Sequence, residues 1–247
     1  MASSEEHYAR HLAPIYAWMA GDFEAAAAAQ DELLTRLGVP VAGAGQVLDL
    51  GCGHGLQSIP LARRGFQVVA VDTSAQLLDQ LRERAGDLPV QTVEGDCLDL
   101  DRYCASPVAW IICMGDTLPH LGSLEDVQRL LEQVAGHLLE GGRFLVSFRD
   151  YTHELTGNDR FIPVRSDDDR IHTCFLEYET DRVRVHDLVY QRSESGWDFS
   201  ASWYPKLRLS ADWLIAQAAL RGLVVSEDFT ERGMRCVAFE YHSAKSM

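Results

Sequence analysis

The sequence has few basic residues, no closely paired cysteines and no long apolar run. Its 22 lysines and arginines stand against 37 aspartates and glutamates, which gives a formal net charge of −15 over 247 residues. A chain this acidic is poorly suited to phosphate backbones, which argues against nucleic acid or an anionic membrane as its partner. No apolar run approaches the roughly 18 to 20 residues of a membrane span, and no charged-then-apolar leader opens the chain. We therefore expect a cytoplasmic protein.

The six cysteines also lack the spacing of a metal site. None of them belongs to a Cys-x-x-Cys pair, and Cys52 and Cys113 lie in or beside apolar runs. Reduced, mostly buried thiols are the simplest interpretation. His7 and His11 fall on one face of a predicted helix, but two histidines without a third ligand are typical of a surface. The sequence thus predicts no metal site.

Strand and helix patterns alternate from residue 46 onwards. The pattern predicts strands at 46–50, 67–71, 90–94, 107–114 and 144–148, with helices at 56–64, 74–85 and 124–139 between them. A further helix at 211–221 and two strands at 223–229 and 235–241 follow later in the chain, and we expect Ser74 and Ser210 to cap the helices that begin there. Strands that alternate with helices predict an α/β fold, built on a doubly wound, mostly parallel seven-stranded sheet.

Two segments fall outside this alternation. Residues 4–37 carry apolar side chains at helical spacing, with Gly21 as a divider, so we expect an N-terminal helical lid over residues 1–40. Residues 150–209 are rich in alternating β formers, with strands expected at 170–179, 182–192 and 197–209. They predict an antiparallel β insertion after strand five, which would also offer an interface for a homo-oligomer. We expect the whole of 1–247 to form a single domain.

Residues 47–55, Val-Leu-Asp-Leu-Gly-Cys-Gly-His-Gly, predict a ligand-binding turn at the end of the first strand. Gly51, Gly53 and Gly55 let the backbone approach a ligand closely, and the N-terminus of the following helix suits an anionic group. A dinucleotide site needs Gly-x-Gly-x-x-Gly, which would place its last glycine at position 56. Leu56 stands there instead, which disfavours an NAD-dependent oxidoreductase.

Acidic residues end the next two strands. Asp72 closes the second strand, where a carboxylate can accept hydrogen bonds from both hydroxyls of a ribose. NAD sites use the same device, so Asp72 alone does not separate the two kinds of ligand. Asp96 and Cys97 follow the third strand.

Asp49 and the three glycines form the pattern Asp-x-Gly-x-Gly-x-Gly, and from here on the chain resembles the class I S-adenosylmethionine-dependent methyltransferases. The resemblance implies a Rossmann-like fold and S-adenosyl-L-methionine as the cofactor. It places the glycines at the methionine part, Asp72 at the ribose, and Asp96 with the Cys97 backbone at the adenine. The expected cofactor-binding residues are Asp49, Gly51, Gly53, Gly55, Asp72, Thr73, Asp96, Cys97 and Met114.

Later motifs resemble those of the glycine N-methyltransferases. Residues 111–121, Ile-Ile-Cys-Met-Gly-Asp-Thr-Leu-Pro-His-Leu, are similar to that group's Cys-Leu-Gly-Asn-Ser-Phe-x-His-Leu, and residues 148–151, Phe-Arg-Asp-Tyr, to its His-Arg-Asn-Tyr. In that group the arginine binds the substrate carboxylate, which implies the same role for Arg149. The group's asparagine is Asp116 here. An acid at this point can hold a cation or take a proton, so glycine itself is not implied as the acceptor.

The sequence therefore predicts methylation of a small carboxylate-bearing metabolite, with a nitrogen as the favoured acceptor atom. The expected catalytic residue is Asp116, and the expected substrate-binding residues are Arg149, Tyr151, Tyr16, His120 and Tyr204. A methyltransferase that acts on oxygen, sulfur or carbon is the alternative within the same class. An NAD-dependent oxidoreductase and a non-catalytic binding protein are the alternatives outside it.

Overall fold

The computed structural model of the protein describes residues 15, 18–19 and 21–243. The chain divides into two compact units. The larger unit spans Asp22–Asp150 and Leu209–Met247, and the smaller one spans Met1–Gly21 and Tyr151–Arg208. None of the described helices is long and apolar enough to cross a membrane.

The larger unit alternates strands and helices as predicted. It opens with α1 (Phe23–Arg36), which Asp22 caps by accepting a hydrogen bond from the amide of Ala25. The following elements are β1 (Gln46–Leu50), α2 (Ser58–Arg63), β2 (Gln67–Asp72), α3 (Ala75–Ala85), β3 (Val90–Glu94), α4 (Leu100–Tyr103), β4 (Val108–Cys113), α5 (Leu124–His137) and β5 (Leu138–Phe148). After the smaller unit the chain returns with α6 (Ala211–Ala219), β10 (Leu223–Glu231) and β11 (Met234–Tyr241).

These strands form one seven-stranded sheet in the order β10-β11-β5-β4-β1-β2-β3. β3, β2, β1, β4 and β5 pair in parallel, while β11 is antiparallel to both of its neighbours. The predicted mostly parallel, seven-stranded sheet is confirmed. The chain order reverses between β1 and β4, which is where α/β folds of this kind bind their ligands.

Burial explains why these segments form the centre of the unit. Val47, Leu48 and Leu50 of β1 are fully buried, as expected for a parallel strand with both faces covered by helices. Ser74 caps α3 as predicted, since its hydroxyl accepts a hydrogen bond from the amide of Leu77. Ser123 caps α5 in the same way, through the amide of Asp126.

The junction between α5 and β5 differs most from the sequence prediction. The helix predicted at 124–139 ends at His137, and β5 begins at Leu138 rather than at 144. Leu138 already pairs with Val108 of β4, and the register shifts between Val108 and Trp110. Gly141, with φ of 72°, therefore lies within an irregular strand rather than beyond a helix end. Helix α4 was not predicted, because four residues are too few to show a helical period.

The smaller unit contains the predicted antiparallel insertion. Its four-stranded sheet follows chain order as β6 (Phe161–Ser166), β7 (Arg170–Tyr178), β8 (Arg182–Ser193) and β9 (Gly196–Leu207). The sequence pattern did not resolve β6 as a separate strand. Ile15, Trp18 and Met19 are helical, which agrees with an N-terminal helix. Tyr16, His7 and His11 lie outside the described residues.

Candidate functional site

The carboxyl ends of the five parallel strands meet at one edge of the larger unit's sheet. Since parallel strands end together, loops that are far apart in the chain become neighbours there. The sequence-predicted site residues of this unit all lie in β1, at the end of β2, or in the segments that follow the strands: Asp49, Gly51, Gly53, Gly55, Asp72, Thr73, Asp96, Cys97, Met114, Asp116, His120 and Arg149.

The loop of residues 51–55, which follows β1 and is called the glycine loop below, requires glycine for two physical reasons. Gly51 has φ of 72°, and a Cβ atom there would lie 2.3 Å from Cγ2 of Thr117. Gly55 has φ of 97°, and its Cβ would lie 2.3 Å from Cδ1 of Leu81. A side chain at either position would combine backbone strain with a steric clash. Gly51 thus lets the loop after β1 pack closely against the loop after β4, at the point where the sheet order reverses.

Three amides of this loop are engaged inside the protein. The amides of Gly51 and Cys52 both donate to the carbonyl of Val71, at 2.8 and 3.0 Å. The amide of Gly53 donates to a carboxylate oxygen of Asp72 at 2.8 Å. These three donors are therefore not directed at a pyrophosphate, which agrees with the absence of a dinucleotide glycine at Leu56.

Asp72 links the glycine loop to the end of β2. Its Oδ2 accepts the hydrogen bond from Gly53, and its Oδ1 accepts one from the amide of Ser74 at 2.9 Å. Burial raises the pKa of Asp72, and the hydrogen bonds from Ser74, Gly53 and Thr73 oppose that shift. Each carboxylate oxygen can accept a second hydrogen bond. The carboxylate has about four acceptor sites and three amide donors, so it keeps capacity for a further donor such as a hydroxyl group.

Asp49 is buried beneath the loop, with 1% of its surface exposed. The hydroxyl of Ser58, in α2, donates a hydrogen bond to its carboxylate. Burial raises the pKa of Asp49 to about 7, the Ser58 hydrogen bond opposes this, and the negative charge of Asp72 adds to it. Asp49 therefore supports the loop from the protein interior.

The turn after β3 is held by the short helix that the sequence did not reveal. The hydroxyl of Tyr103, in α4, donates to the carbonyl of Asp96 at 3.0 Å, and Oδ1 of Asp96 accepts a hydrogen bond from the amide of Leu98. The side chain of Asp96 is exposed. Burial, and next the charge of Asp96, raise the pKa of Cys97 to about 12, so its thiol stays uncharged.

Asp116 and Arg149 form an ion pair between the loops after β4 and β5. Asp116 is buried, and its two carboxylate oxygens accept hydrogen bonds from the amide of Arg149 at 2.8 Å and from its guanidinium Nη1 at 3.3 Å. The guanidinium side chain is 45% exposed. Asp116 has φ of 74°, in the left-handed region that Asp and Asn tolerate better than most residues. Asp116 does not cap α5, because Ser123 does.

Thr117 is a site residue that the sequence analysis missed. Its hydroxyl donates to the carbonyl of Met114 at 3.0 Å, and its side chain packs where a Cβ of Gly51 would lie. Its position as a small polar residue directly after Asp116 is the one sequence signal that could have identified it. His120 ends a short 3-10 helix, Leu118–His120, and is partly exposed.

Two of the three predicted tyrosines, Tyr151 and Tyr204, belong to the smaller unit. Tyr151 and Tyr204 are both buried there, in one apolar cluster with Leu176, Val183 and Val185. Tyr16 lies outside the part of the chain that the structure describes.

An open depression of about 320 Å³ lies at the opposite edge of the larger unit's sheet. Its lining contains the starts of β1, β2 and β3, with Gln46, Gln67 and Pro89 among the residues. Its lining contains no ionisable side chain, whereas several lie at the edge of the sheet formed by the carboxyl ends of the strands. The carboxyl edge is therefore the better candidate for a reactive site.

Residues 47–142 match a family described as a methyltransferase domain. The cypemycin N-terminal methyltransferase of Streptomyces sp is 35% identical over 137 residues, which cover 50% of this chain and 55% of that protein. The glycine/sarcosine N-methyltransferase of Aphanothece halophytica is 33% identical over 111 residues, which cover 44% of this chain and 42% of that protein. The chain thus spans about half the length of the curated relatives it matches.

The whole fold also matches solved structures. The CcbJ methyltransferase from Streptomyces caelestis superposes with a TM-score of 0.76 at 24% identity, over 97% of this chain and 100% of that one. An S-adenosylmethionine-dependent methyltransferase from Clostridium acetobutylicum superposes with a TM-score of 0.72 at 17% identity, over 90% and 93%. The matched family region contains the glycine loop, Asp72 and Asp116. Residues 47–142 are therefore similar to a methyltransferase domain, and the chain shares the fold of the solved methyltransferases.

Proposed function

We propose that the protein transfers the methyl group of S-adenosylmethionine to a nitrogen atom of a small metabolite that bears a carboxylate. The observation that carries this proposal is the Asp116–Arg149 pair at the carboxyl edge of the sheet, beside the glycine loop. Relatives named for N-methylation, such as the glycine/sarcosine N-methyltransferase, support nitrogen as the acceptor atom.

Within this proposal the cofactor occupies the edge formed by β1, β2 and β3. Asp72 accepts a hydrogen bond from the ribose hydroxyls with the acceptor capacity that the amides of Gly53, Ser74 and Thr73 leave. The adenine lies at Asp96 and the Cys97 backbone, and the methionine part lies at the glycine loop. Thr73, which follows Asp72, and Met114, which follows β4, are further proposed contacts. A ligand without phosphate suits a loop whose first three amides are already engaged.

The Asp116–Arg149 pair is complementary to an acceptor that carries an amine and a carboxylate. A guanidinium offers two parallel donors to a carboxylate, and a carboxylate accepts hydrogen bonds from an ammonium. When the substrate carboxylate binds Arg149, it competes with Asp116 for the guanidinium. Asp116 then turns to the substrate amine, which must lose a proton before it can attack the methyl group.

The same pair limits an unfavourable electrostatic effect. The positive charge of the sulfonium disappears as the methyl group leaves, so a bare carboxylate near the sulfur would stabilise the ground state more than the transition state. Arg149 offsets the charge of Asp116. The protein's main contribution is then to hold the acceptor in line with the methyl group, which can supply roughly 7 to 11 kcal/mol.

His120, Tyr151, Tyr204 and Tyr16 remain the proposed contacts of the acceptor. Transfer to oxygen, sulfur or carbon is the alternative reaction. A homo-oligomer formed through the insertion sheet also stays a proposal.

The proposal is tested with the purified full chain, S-adenosylmethionine and matched pairs of acceptors. Each amino acid is compared with its carboxamide, with S-adenosylhomocysteine release and product mass as the readouts. We expect turnover of amino acids, much weaker turnover of carboxamides, and a methyl group on nitrogen. Arg149→Met should abolish the preference and leave the cofactor KM unchanged, while Arg129→Met, on the exposed side of α5, should change neither. Equal turnover of both members of each pair would reject the carboxylate requirement.

A further inference from the structure

Three side chains with metal-binding chemistry converge on one face of the insertion sheet. His172 and Cys174 are two residues apart on β7, so their side chains point to the same face. Asp187 of β8 lies directly opposite Cys174 in the antiparallel register. The whole cluster therefore belongs to the smaller unit, where Cys174 packs against the apolar cluster that contains Tyr151 and Tyr204.

The three ligand atoms form a compact triangle. Nε2 of His172 lies 2.7 Å from Oδ1 of Asp187. Sγ of Cys174 lies 3.3 Å from the same oxygen and 3.9 Å from Nε2 of His172. Zinc bonds of about 2.3 Å to sulfur and 2.0 to 2.2 Å to nitrogen and oxygen place tetrahedral ligands roughly 3.3 to 3.6 Å apart. The Cys174–Asp187 distance already lies in that range, the Cys174–His172 distance would shorten by about 0.3 Å, and the His172–Asp187 distance would lengthen by about 0.6 Å.

The chemistry of the three ligand side chains and their burial favour Zn²⁺ over other metal ions. An imidazole, a thiolate and a carboxylate together suit Zn²⁺ better than Mg²⁺ or Ca²⁺, which prefer oxygen ligands. His172 and Asp187 are almost fully buried, and Cys174 is partly buried. A thiolate and a carboxylate would neutralise Zn²⁺, so the buried complex would carry no net charge.

We propose that His172, Cys174 and Asp187 form a Zn²⁺-binding site. Three protein ligands leave the fourth position of a tetrahedral ion to water or to a small ligand. This inference goes against the sequence prediction of no metal site, which rested on the absence of a Cys-x-x-Cys pair. Strand pairing brings Asp187 next to two residues that are 13 and 15 positions away in the chain.

The binding of Zn²⁺ would change the protonation of Cys174 and His172. The thiol, which donates to Asp187 in the metal-free protein, releases its proton to solvent on forming a thiolate. Coordination through Nε2 places the imidazole proton on Nδ1, which is buried and has no hydrogen-bond partner within the described part of the chain. That unpaired group lowers the affinity, so the site should bind Zn²⁺ less tightly than a closed four-ligand site, and more tightly as the pH rises.

The test uses the full chain after removal of metals with a chelator. Addition of Co²⁺ as a spectroscopic substitute should produce the intense visible bands of a four-coordinate site and a near-ultraviolet thiolate charge-transfer band. Zn²⁺ should abolish both signals, with one equivalent per chain measured by elemental analysis. The absence of a saturable one-equivalent signal would reject the site and leave the cluster as a hydrogen-bonded network.

Matched variants assign the ligands. Cys174→Ser should abolish the charge-transfer band, and His172→Gln and Asp187→Asn should each weaken Zn²⁺ binding at least tenfold. Cys104→Ser, which changes a thiol of the larger unit, should leave both signals intact. Circular dichroism checks that each variant is folded, and Cys174→Ala provides a second thiol variant if the serine variant does not fold. Unchanged Zn²⁺ affinity in the folded Cys174 and Asp187 variants would overturn the assignment.

Discussion

The amide of Gly53 donates a 2.8 Å hydrogen bond to the carboxylate of Asp72, and this bond joins the glycine loop to the end of β2. The loop and the acid were recognised as two separate motifs in the sequence. In the structure they are connected, because the carboxylate of Asp72 binds the glycine loop and also accepts a hydrogen bond from the amide of Ser74 at the start of α3. A substitution at Asp72 should therefore affect both the binding of the cofactor and the conformation of the glycine loop.

We expect Asp72→Ala to weaken S-adenosylmethionine binding at least tenfold, as measured by calorimetry. The substitution removes the proposed ribose acceptor and leaves the amides of Gly53 and Ser74 without their partner. Asp72→Asn keeps one acceptor oxygen and should be affected less. Asp87→Asn, in the exposed turn before β3, is the matched control and should bind the cofactor as the natural protein does. Unchanged affinity in Asp72→Ala would remove the ribose assignment.

Asp116→Asn should lower kcat/KM for the amine acceptor by about 10²-fold or more near neutral pH, as expected for loss of a proton acceptor. Asparagine tolerates the positive φ of this position and can still accept the hydrogen bond from the amide of Arg149. The loss in kcat/KM should shrink as the pH approaches the pKa of the acceptor's amine, because more of the acceptor is then already deprotonated.

The measurement is the pH profile of initial rates for both proteins. A deficit that stays constant across the profile would show that Asp116 binds the acceptor without taking its proton. Asp126→Asn, which changes a partly exposed acid paired with Arg129 in the first turn of α5, should follow the natural profile and serves as the charge control.

Stability should depend on pH through Asp49. Its pKa is raised from 3.8 to about 7 in the folded protein, chiefly by burial, so the folded state holds a proton that the unfolded state has lost in that window. The stability linked to this proton is fully present below about pH 4 and is lost as the pH rises through about 7. Asp49→Asn stays neutral and keeps an acceptor for Ser58. It should therefore gain about 2–4 kcal/mol over the natural protein at high pH, and little at low pH.

Urea unfolding of the cofactor-free proteins at low and high pH measures this difference. The exposed Asp87→Asn should show no comparable pH-dependent gain. An equal difference between Asp49→Asn and the natural protein at both pH values would contradict the assignment of the proton to Asp49.

Gly51→Ala should destabilise the protein by about 2–5 kcal/mol, because left-handed strain adds to a clash with Thr117. Gly45→Ala is a close control. Gly45 also has a positive φ, of 82°, but a Cβ there would meet nothing within 4 Å, so only the backbone strain of about 1–2 kcal/mol remains. The melting temperatures of the two variants compare these effects. Equal losses would show that contact with Thr117 does not restrict the loop.

Much of the α/β unit could be read from local patterns. β1 and β3 fall at the residues predicted, and Ser74 and Ser210 cap their helices as expected, because short apolar runs and capping hydroxyls act over a few residues. The predicted start of β5 was wrong, because the pairing of Leu138 with β4 overrides the local pattern. Helix α4 was missed, although it holds the turn at Asp96 through Tyr103.

The sequence by itself determined the alternation of strands and helices, the antiparallel insertion and a glycine loop whose spacing differs from that of a dinucleotide site. These features depend on residues within a few positions of one another. Only the tertiary structure decided the partners of Asp116, Thr117 and Asp187. The pairing of Asp116 with Arg149, the contact of Thr117 with Gly51, and the meeting of Asp187 with His172 all depend on strand order and register. Those arise from the packing of distant segments, which no local pattern encodes.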